Sequence, residues 1–297
     1  MPVAQRIGIA VCSVVALLGA RAEAQEIHLT GPITSVIAIA QRSEPASKSS
    51  NSLILSTGHV ELGGELALVT CDECPLLDDS AKLTDIALFR GLLRHSLGER
   101  LELFAGTSLL AKQPEPFDAS VWQGSSLGLR VAFAKVFASE AVAAVGPLLG
   151  RDGTYGQLGT GLRTKLKADS ALRFELSLGG LFTSLARTDD AGLQWIEELT
   201  GHFEAQFGER GGGGWVGIGY AVPAAHSQAL DPGPRLDLDV GGVVTFDAWD
   251  LYAIYTIVDR GDVSRPESTL PMLDGGFDQH QVTLGVRHRF EPARDDQ

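Results

Sequence analysis

The sequence predicts an all-β chain, an antiparallel up-and-down transmembrane β-barrel of about 12 strands. Three observations carry the prediction. Apolar residues recur at every second position through many segments, with polar or charged residues between them. The connections between these segments alternate between short and long. Aromatic residues recur where the apolar rows meet the short connections.

The first element is an export leader over residues 1–24. Arg6 supplies the positive start, "IGIAVCSVVALLGA" is a short apolar run, and Ala22-Glu23-Ala24 is a small-x-small cleavage site, the pattern of a cleaved Sec-type signal. Cys12 lies inside the apolar run, where a lipidated cysteine would not be, and is read as filler. The mature chain is expected to begin at Gln25. Removing the leader takes away two Arg and one Glu, leaving 22 basic residues against 36 acidic, a net charge of −14. That balance argues against a nucleic-acid partner, which requires cationic patches to displace counterions. After the first twenty residues no stretch is long and apolar enough for a transmembrane helix.

Residues 25–57 form an N-terminal linker or arm, or a plug. "ITSVIAIA" is apolar and strand-like, whereas "QRSEPASKSSNS" is a polar linker; alternatively 53–70 is one long strand projecting from the membrane. The barrel occupies 58–290, and 291–297 is a charged tail.

Within 58–290 the strand spans are 59–70, 82–95, 101–111, 121–137, 140–149, 155–167, 171–185, 193–207, 214–223, 235–246, 249–259 and 279–290. Val60/Leu62/Leu66/Leu68 mark the first, Leu127/Leu129/Val131/Phe133 the fourth, and Leu158/Leu162/Leu166 the sixth. In the seventh, Leu172, Phe174, Leu176, Leu178 and Phe182 alternate with Arg173, Glu175 and Ser177. A helix would scatter those apolar residues around its axis, whereas a strand puts them on one face. Leu236/Leu238/Val240/Val244/Phe246 mark the tenth, and Val282/Leu284/Val286/Phe290, broken by His288, the last. Glycines inside these rows suggest strands needing close backbone approach.

The even-to-odd connections are "LGER", "ASE", "ADS", "GERGGG" and "DA". Most odd-to-even ones are longer, up to "DRGDVSRPESTLPMLDGGF". All short turns therefore lie at one end of a meander. Phe137, Phe207, Phe246, Trp249 and Phe290 fall by parity on the apolar face beside the short turns, with Trp195 on that face at the opposite end of its strand. Aromatic bands at both ends of an apolar surface suit a membrane interface.

Alternation alone leaves two answers, apolar face inward in a soluble exported sandwich or barrel, or outward to lipid. The charged opposite face, the even strand count, the alternating loops and the terminal Phe290 favour lipid. On the last strand, "VTLGVRHRF", and the meander over roughly 58–290, the chain resembles bacterial outer-membrane β-barrel proteins as a broad class. The resemblance implies location in the outer membrane of a Gram-negative cell. It implies outer-membrane lipids and the barrel-assembly machinery as partners, with Phe290 as the assembly signal. Here "EPARDDQ" follows Phe290, where the class usually ends on its aromatic.

Candidate lumen-lining residues are Glu61, Glu65, Arg163, Lys165, Lys167, Arg173, Glu175, Glu198, His202, Glu204, Asp237, Asp239, Arg287 and Arg289. One reading sets the cationic residues of strands six and seven as a wall facing an acidic wall of strands eight and ten, a field that orients zwitterionic solutes. The other makes them cross-lumen ion pairs that stiffen or plug the barrel. Leu176→Arg, at a lipid-facing position, is expected to be costly, and the neighbouring lumenal Glu175→Arg to be tolerated much better. Cys71 and Cys74 are a candidate disulfide; free thiols, or half of a metal or redox site, are the alternatives. His202 and Glu204 share a face about 7 Å apart by strand rise, which suits a lumenal hydrogen bond better than catalysis. His59, His226, His280 and His288 are scattered and sit in no catalytic motif. No catalytic residue, cofactor or metal is expected. The function expected is a narrow passive, porin-like channel or transporter for small solutes, or a structural barrel. A soluble exported ligand-binding sandwich or barrel is the runner-up, and a membrane-embedded hydrolase-type enzyme the third reading.

Overall fold

In the computed structural model the described residues are 53–71, 83–112, 120–134, 136–148, 153–168, 172–187, 193–209, 211–228, 230, 233–260 and 278–291. They form twelve strands: β1 Val60–Cys71, β2 Leu83–Ser96, β3 Leu101–Lys112, β4 Trp122–Ala134, β5 Phe137–Pro147, β6 Gly153–Lys167, β7 Leu172–Arg187, β8 Leu193–Glu209, β9 Gly212–His226, β10 Arg235–Phe246, β11 Trp249–Arg260 and β12 Gln279–Phe290. Each strand pairs antiparallel with its sequence neighbours, and β12 pairs with β1 from Phe290↔Val60 to His280↔Thr70, which closes the barrel. Closure leaves no unpaired edge, the condition for a sheet to cross hydrocarbon.

The two faces differ as the alternation requires. Large apolar side chains cover the outside, among them Leu68, Phe89, Leu127, Leu162, Leu178, Leu199 and Leu284. The buried inward row is rich in charge. Outer aromatics sit at the ends of this belt. Phe137, Phe207, Phe246, Trp249 and Phe290 are exposed beside the short turns. On β7 and β8, Phe174 stacks on Phe203 and Phe182 stacks on Trp195. Leu178 lies midway between Phe174 and Phe182, so eight tilted residues give an apolar height of roughly 20 Å, close to the usual band of such barrels.

Two expectations need correction. β4 ends at Ala134 and β5 begins at Phe137, so the short connection does not fall at "ASE" and Ala138, Ser139 and Glu140 lie inside β5. Phe137 thereby starts β5, still on the outer face. Residues 53–57 do not prolong β1. A turn at 56–59, tied by His59 N to Ser56 O (3.0 Å) and Gly58 N to Ser96 O (3.1 Å), directs Leu53, Ile54 and Leu55 into the barrel end, where all three are buried and Leu53 and Ile54 cluster with Ala132 and Ala138.

The leader, residues 25–52, Cys74 and the charged tail beyond 291 lie outside the described residues, as does the side chain of Cys71. The candidate disulfide therefore falls there too.

Candidate functional site

Alternation brings one or more charged side chains of nearly every strand to the inner wall, and pairing registers bring opposite charges side by side. Glu61 faces Arg94 across β1–β2, Arg130 lies between Glu102 and Glu140 across β3–β4–β5, Lys165 faces Glu175 across β6–β7, and Asp250 faces Arg287 across β11–β12.

These pairs join into one continuous girdle. From Asp250 on β11 it passes to Arg287 (3.6 Å), Glu61 (3.8 Å), Arg94 (3.6 Å), Glu102 (2.7 Å), Arg130 (3.2 Å), Glu140 (3.2 Å) and Arg163 (3.4 Å), and it reaches Glu175 on β7. The carboxylates stand on odd strands and the arginines on even ones. Arg94 grips Glu102 through Nε and Nη2, the fork geometry that makes Arg–carboxylate bonds strong. Gln206 extends the chain from Glu175 onto β8, and Thr245 Oγ1 donates to Asp250 Oδ1 at 2.7 Å from β10.

Strand β9 interrupts the girdle. Its inward positions include Trp215, Gly217, Gly219 and Ala221, none of them charged. The bare backbone at Gly217 and Gly219 lets side chains of β8 and β10 approach across it, and His202 Nε2 comes within 3.5 Å of Asp239 Oδ1. Glu204 meets Gln206, not His202. Nearer the long loops, Arg260 binds Glu198 at 2.9 Å and Arg235 binds Asp237 at 3.1 Å. Glu65 accepts from the Tyr252 hydroxyl at 2.5 Å.

Inward aromatics fill the remaining space by lying on glycines. Phe104, Tyr155, Trp215 and Tyr252 face Gly128, Gly146, Gly241 and Gly285 directly across their strand pairs. At each of these glycines a Cβ would collide with the ring. Twice an arginine two residues beyond the glycine sits over that ring, Arg130 on Phe104 (5.4 Å) and Arg287 on Tyr252 (4.8 Å). Such cation–π contacts are worth most where water is displaced.

Of the candidate lining residues, Glu61, Glu65, Arg163, Lys165, Arg173, Glu175, Glu198, Glu204, Asp237, Asp239 and Arg287 are buried inside the barrel, and His202 and Arg289 are half-buried there. Lys167 shares the inward parity but is exposed, because β6 ends at it. The cationic and acidic walls expected to face each other do not. Arg163 and Lys165 contact Glu175 on the adjacent strand, so the charges alternate around the ring instead of segregating. The expected tolerance of Glu175→Arg also falls, since Glu175 is the buried partner of both cations. Sequence reasoning missed Arg90, Arg94, Glu102, Arg130, Glu140, Arg235, Asp250 and Arg260. Parity with recognised inward neighbours would have found most of them; Glu140 was hidden by the misplaced turn. Among the described residues no group of three or more His, Cys, Asp or Glu is disposed to hold a metal ion.

A closed antiparallel barrel with an apolar outer belt and a charged interior is the architecture of bacterial outer-membrane β-barrels, and this chain has it. No protein-family model matches the chain, and no curated protein sequence matches it. Among solved structures it is similar to a KdgM porin in complex with disordered oligogalacturonate, at 14% identity and a TM-score of 0.47, covering 78% of this chain and 99% of that one. It is also similar to an outer membrane channel from Pseudomonas putida F1, at 13% identity and a TM-score of 0.48, covering 80% and 97%. A third is the translocator domain of the autotransporter NalP from Neisseria meningitidis, at 13% identity and a TM-score of 0.46, covering 80% and 90%. At these identities and scores the likeness carries no activity across to this chain.

Proposed function

We propose that the protein is a narrow passive outer-membrane channel for small polar solutes, exported by a cleaved leader and catalysing no reaction. The observation that supports this reading most is the girdle itself, an ordered charged lining inside a barrel whose exterior is apolar. Each carboxylate on it has an arginine neighbour, so a passing solute meets alternating charge at short range and little net field. Neutral or zwitterionic solutes suit such a lining better than bulk anions or cations. Phe290, exposed at the end of β12, is the residue the assembly machinery would read.

A second reading, a structural barrel without transport, is favoured by the density of the interior: Arg90 and Glu102 are 0% exposed and Arg130 is 1% exposed. Reconstitution separates the two. Purified protein in planar bilayers should give small conductance steps with weak preference between potassium and chloride, and liposomes carrying it should swell in small zwitterionic amino acids. Silent bilayers together with liposomes that do not swell would leave the structural reading.

A further inference from the structure

We propose that residues 53–55 are a displaceable stopper seated in the short-turn mouth of the barrel, an inference that rests on the channel reading above. Leu53, Ile54 and Leu55 are 2%, 2% and 5% exposed, although they belong to no strand and sit beside the buried charges of Glu102 and Arg130. Leu53 and Ile54 form an apolar cluster with Ala132 of β4 and Ala138 of β5, whose small side chains leave room at that end of the wall.

The segment is held to the girdle by its backbone. The N–H of Leu55 donates to Glu102 Oε2 at 2.8 Å, and Arg130 Nη1 donates to the carbonyl of Leu53 at 3.0 Å. Both girdle residues have partners besides the segment. Glu102 also pairs with Arg94 and Arg130, and Arg130 with Glu102 and Glu140, and none of these ion pairs passes through the segment. Departure therefore breaks the Leu55–Glu102 and Arg130–Leu53 hydrogen bonds, among others, and the apolar contacts with Ala132 and Ala138, but requires breaking none of the wall's ion pairs. A lining that stays assembled when its occupant leaves is what a stopper requires.

The segment also has a pivot. Gly58 adopts φ 76°, a left-handed conformation that favours glycine, in the turn that swings the chain from β1 into the mouth. Its neighbour His59 accepts from Ser96 N at 3.0 Å and donates to Ser56 O at 3.0 Å, so the turn is anchored to β2 on the β1 side and held on the other only by hydrogen bonds within the turn and from Gly58 N to Ser96 O.

The test uses the full chain refolded into detergent and reconstituted in planar bilayers, with potassium chloride as the probe. Leu53→Asp and Ile54→Asp place a carboxylate in the apolar seat and should expel the segment, raising conductance several-fold while heat-dependent gel mobility stays that of a folded barrel. Equal conductance from the unaltered chain and both variants would overturn the stopper and leave the channel standing. Silence from all three would overturn the channel reading, and the stopper with it. A second measurement uses Ile54→Cys in a chain whose Cys12, Cys71 and Cys74 are replaced by Ser. A charged maleimide should label it slowly in the folded barrel and faster once Gly58→Val disturbs the pivot. Labelling of the folded chain at the rate seen in urea would overturn the seated segment directly.

Discussion

The indole of Trp215 on β9 lies across the backbone of Gly241 on β10, its direct cross-strand partner, and is fully buried inside the barrel. The ring occupies the space that any Cβ at 241 would need. Gly241→Ala should therefore destabilise the barrel by about 1–3 kcal/mol through overpacking, read as a lower urea midpoint for loss of the heat-resistant gel species. Adding Trp215→Ala should make that penalty smaller, since neighbouring residues couple when they share space. Additive losses in the double variant would mean that the stacking does not persist in the folded protein.

Leu178 is lipid-facing and midway between two stacked aromatic pairs on β7–β8. Leu178→Arg should cost about 2–4 kcal/mol of folding free energy, the range for a cation near the bilayer midplane. Lys167→Ala, at the exposed end of β6, should stay within about 0.5 kcal/mol of the unaltered chain. Folding yield into lipid vesicles measures both.

Arg260 and Glu198 are 2.9 Å apart, each with 1% side-chain exposure. Arg260→Met alone should cost about 3–5 kcal/mol by leaving a buried carboxylate without its cation, whereas Arg260→Met with Glu198→Leu should recover much of that loss. Equilibrium unfolding of the two single variants and the double one is the readout. A double variant as unstable as the worse single would refute the pairwise account.

Glu175→Arg sets a third cation against Arg163 and Lys165 and should block folding or lower stability by several kcal/mol, in the range of about 3–5 kcal/mol for breaking a buried pair. Glu175→Arg combined with Arg163→Glu restores one opposite-charge contact and should fold better than Glu175→Arg alone. The comparison is made by the fraction of heat-resistant protein after refolding.

The outer face was legible because lipid tolerates a simple rule. Along Leu172, Phe174, Leu176 and Leu178 every second residue is apolar, and strand count, strand order and most boundaries follow from repeating that test. The girdle was only half legible. Parity says that Glu61 and Arg163 face inward, but partners depend on register between strands, and register depends on where a turn falls. A turn placed three residues late removed Glu140 from the wall and with it the bridge from Arg130 to Arg163. The stacking of Phe104, Tyr155, Trp215 and Tyr252 on glycines was hidden for a related reason. A glycine in an apolar row announces a close approach without saying which ring comes from the next strand. The inward turn of 53–55 had no periodic signal at all, since three apolar residues before a strand look like its continuation.

Placing acids on odd strands and bases on even ones makes each of the hairpins β2–β3, β4–β5 and β6–β7 carry one of each at the girdle, and the β12–β1 seam does the same. Such hairpins are self-neutralising building blocks. A lineage that duplicated or lost one would widen or narrow the cylinder without setting two like charges shoulder to shoulder, whereas gaining a single strand would do so. The electrostatics of the wall thus favours evolution in two-strand steps.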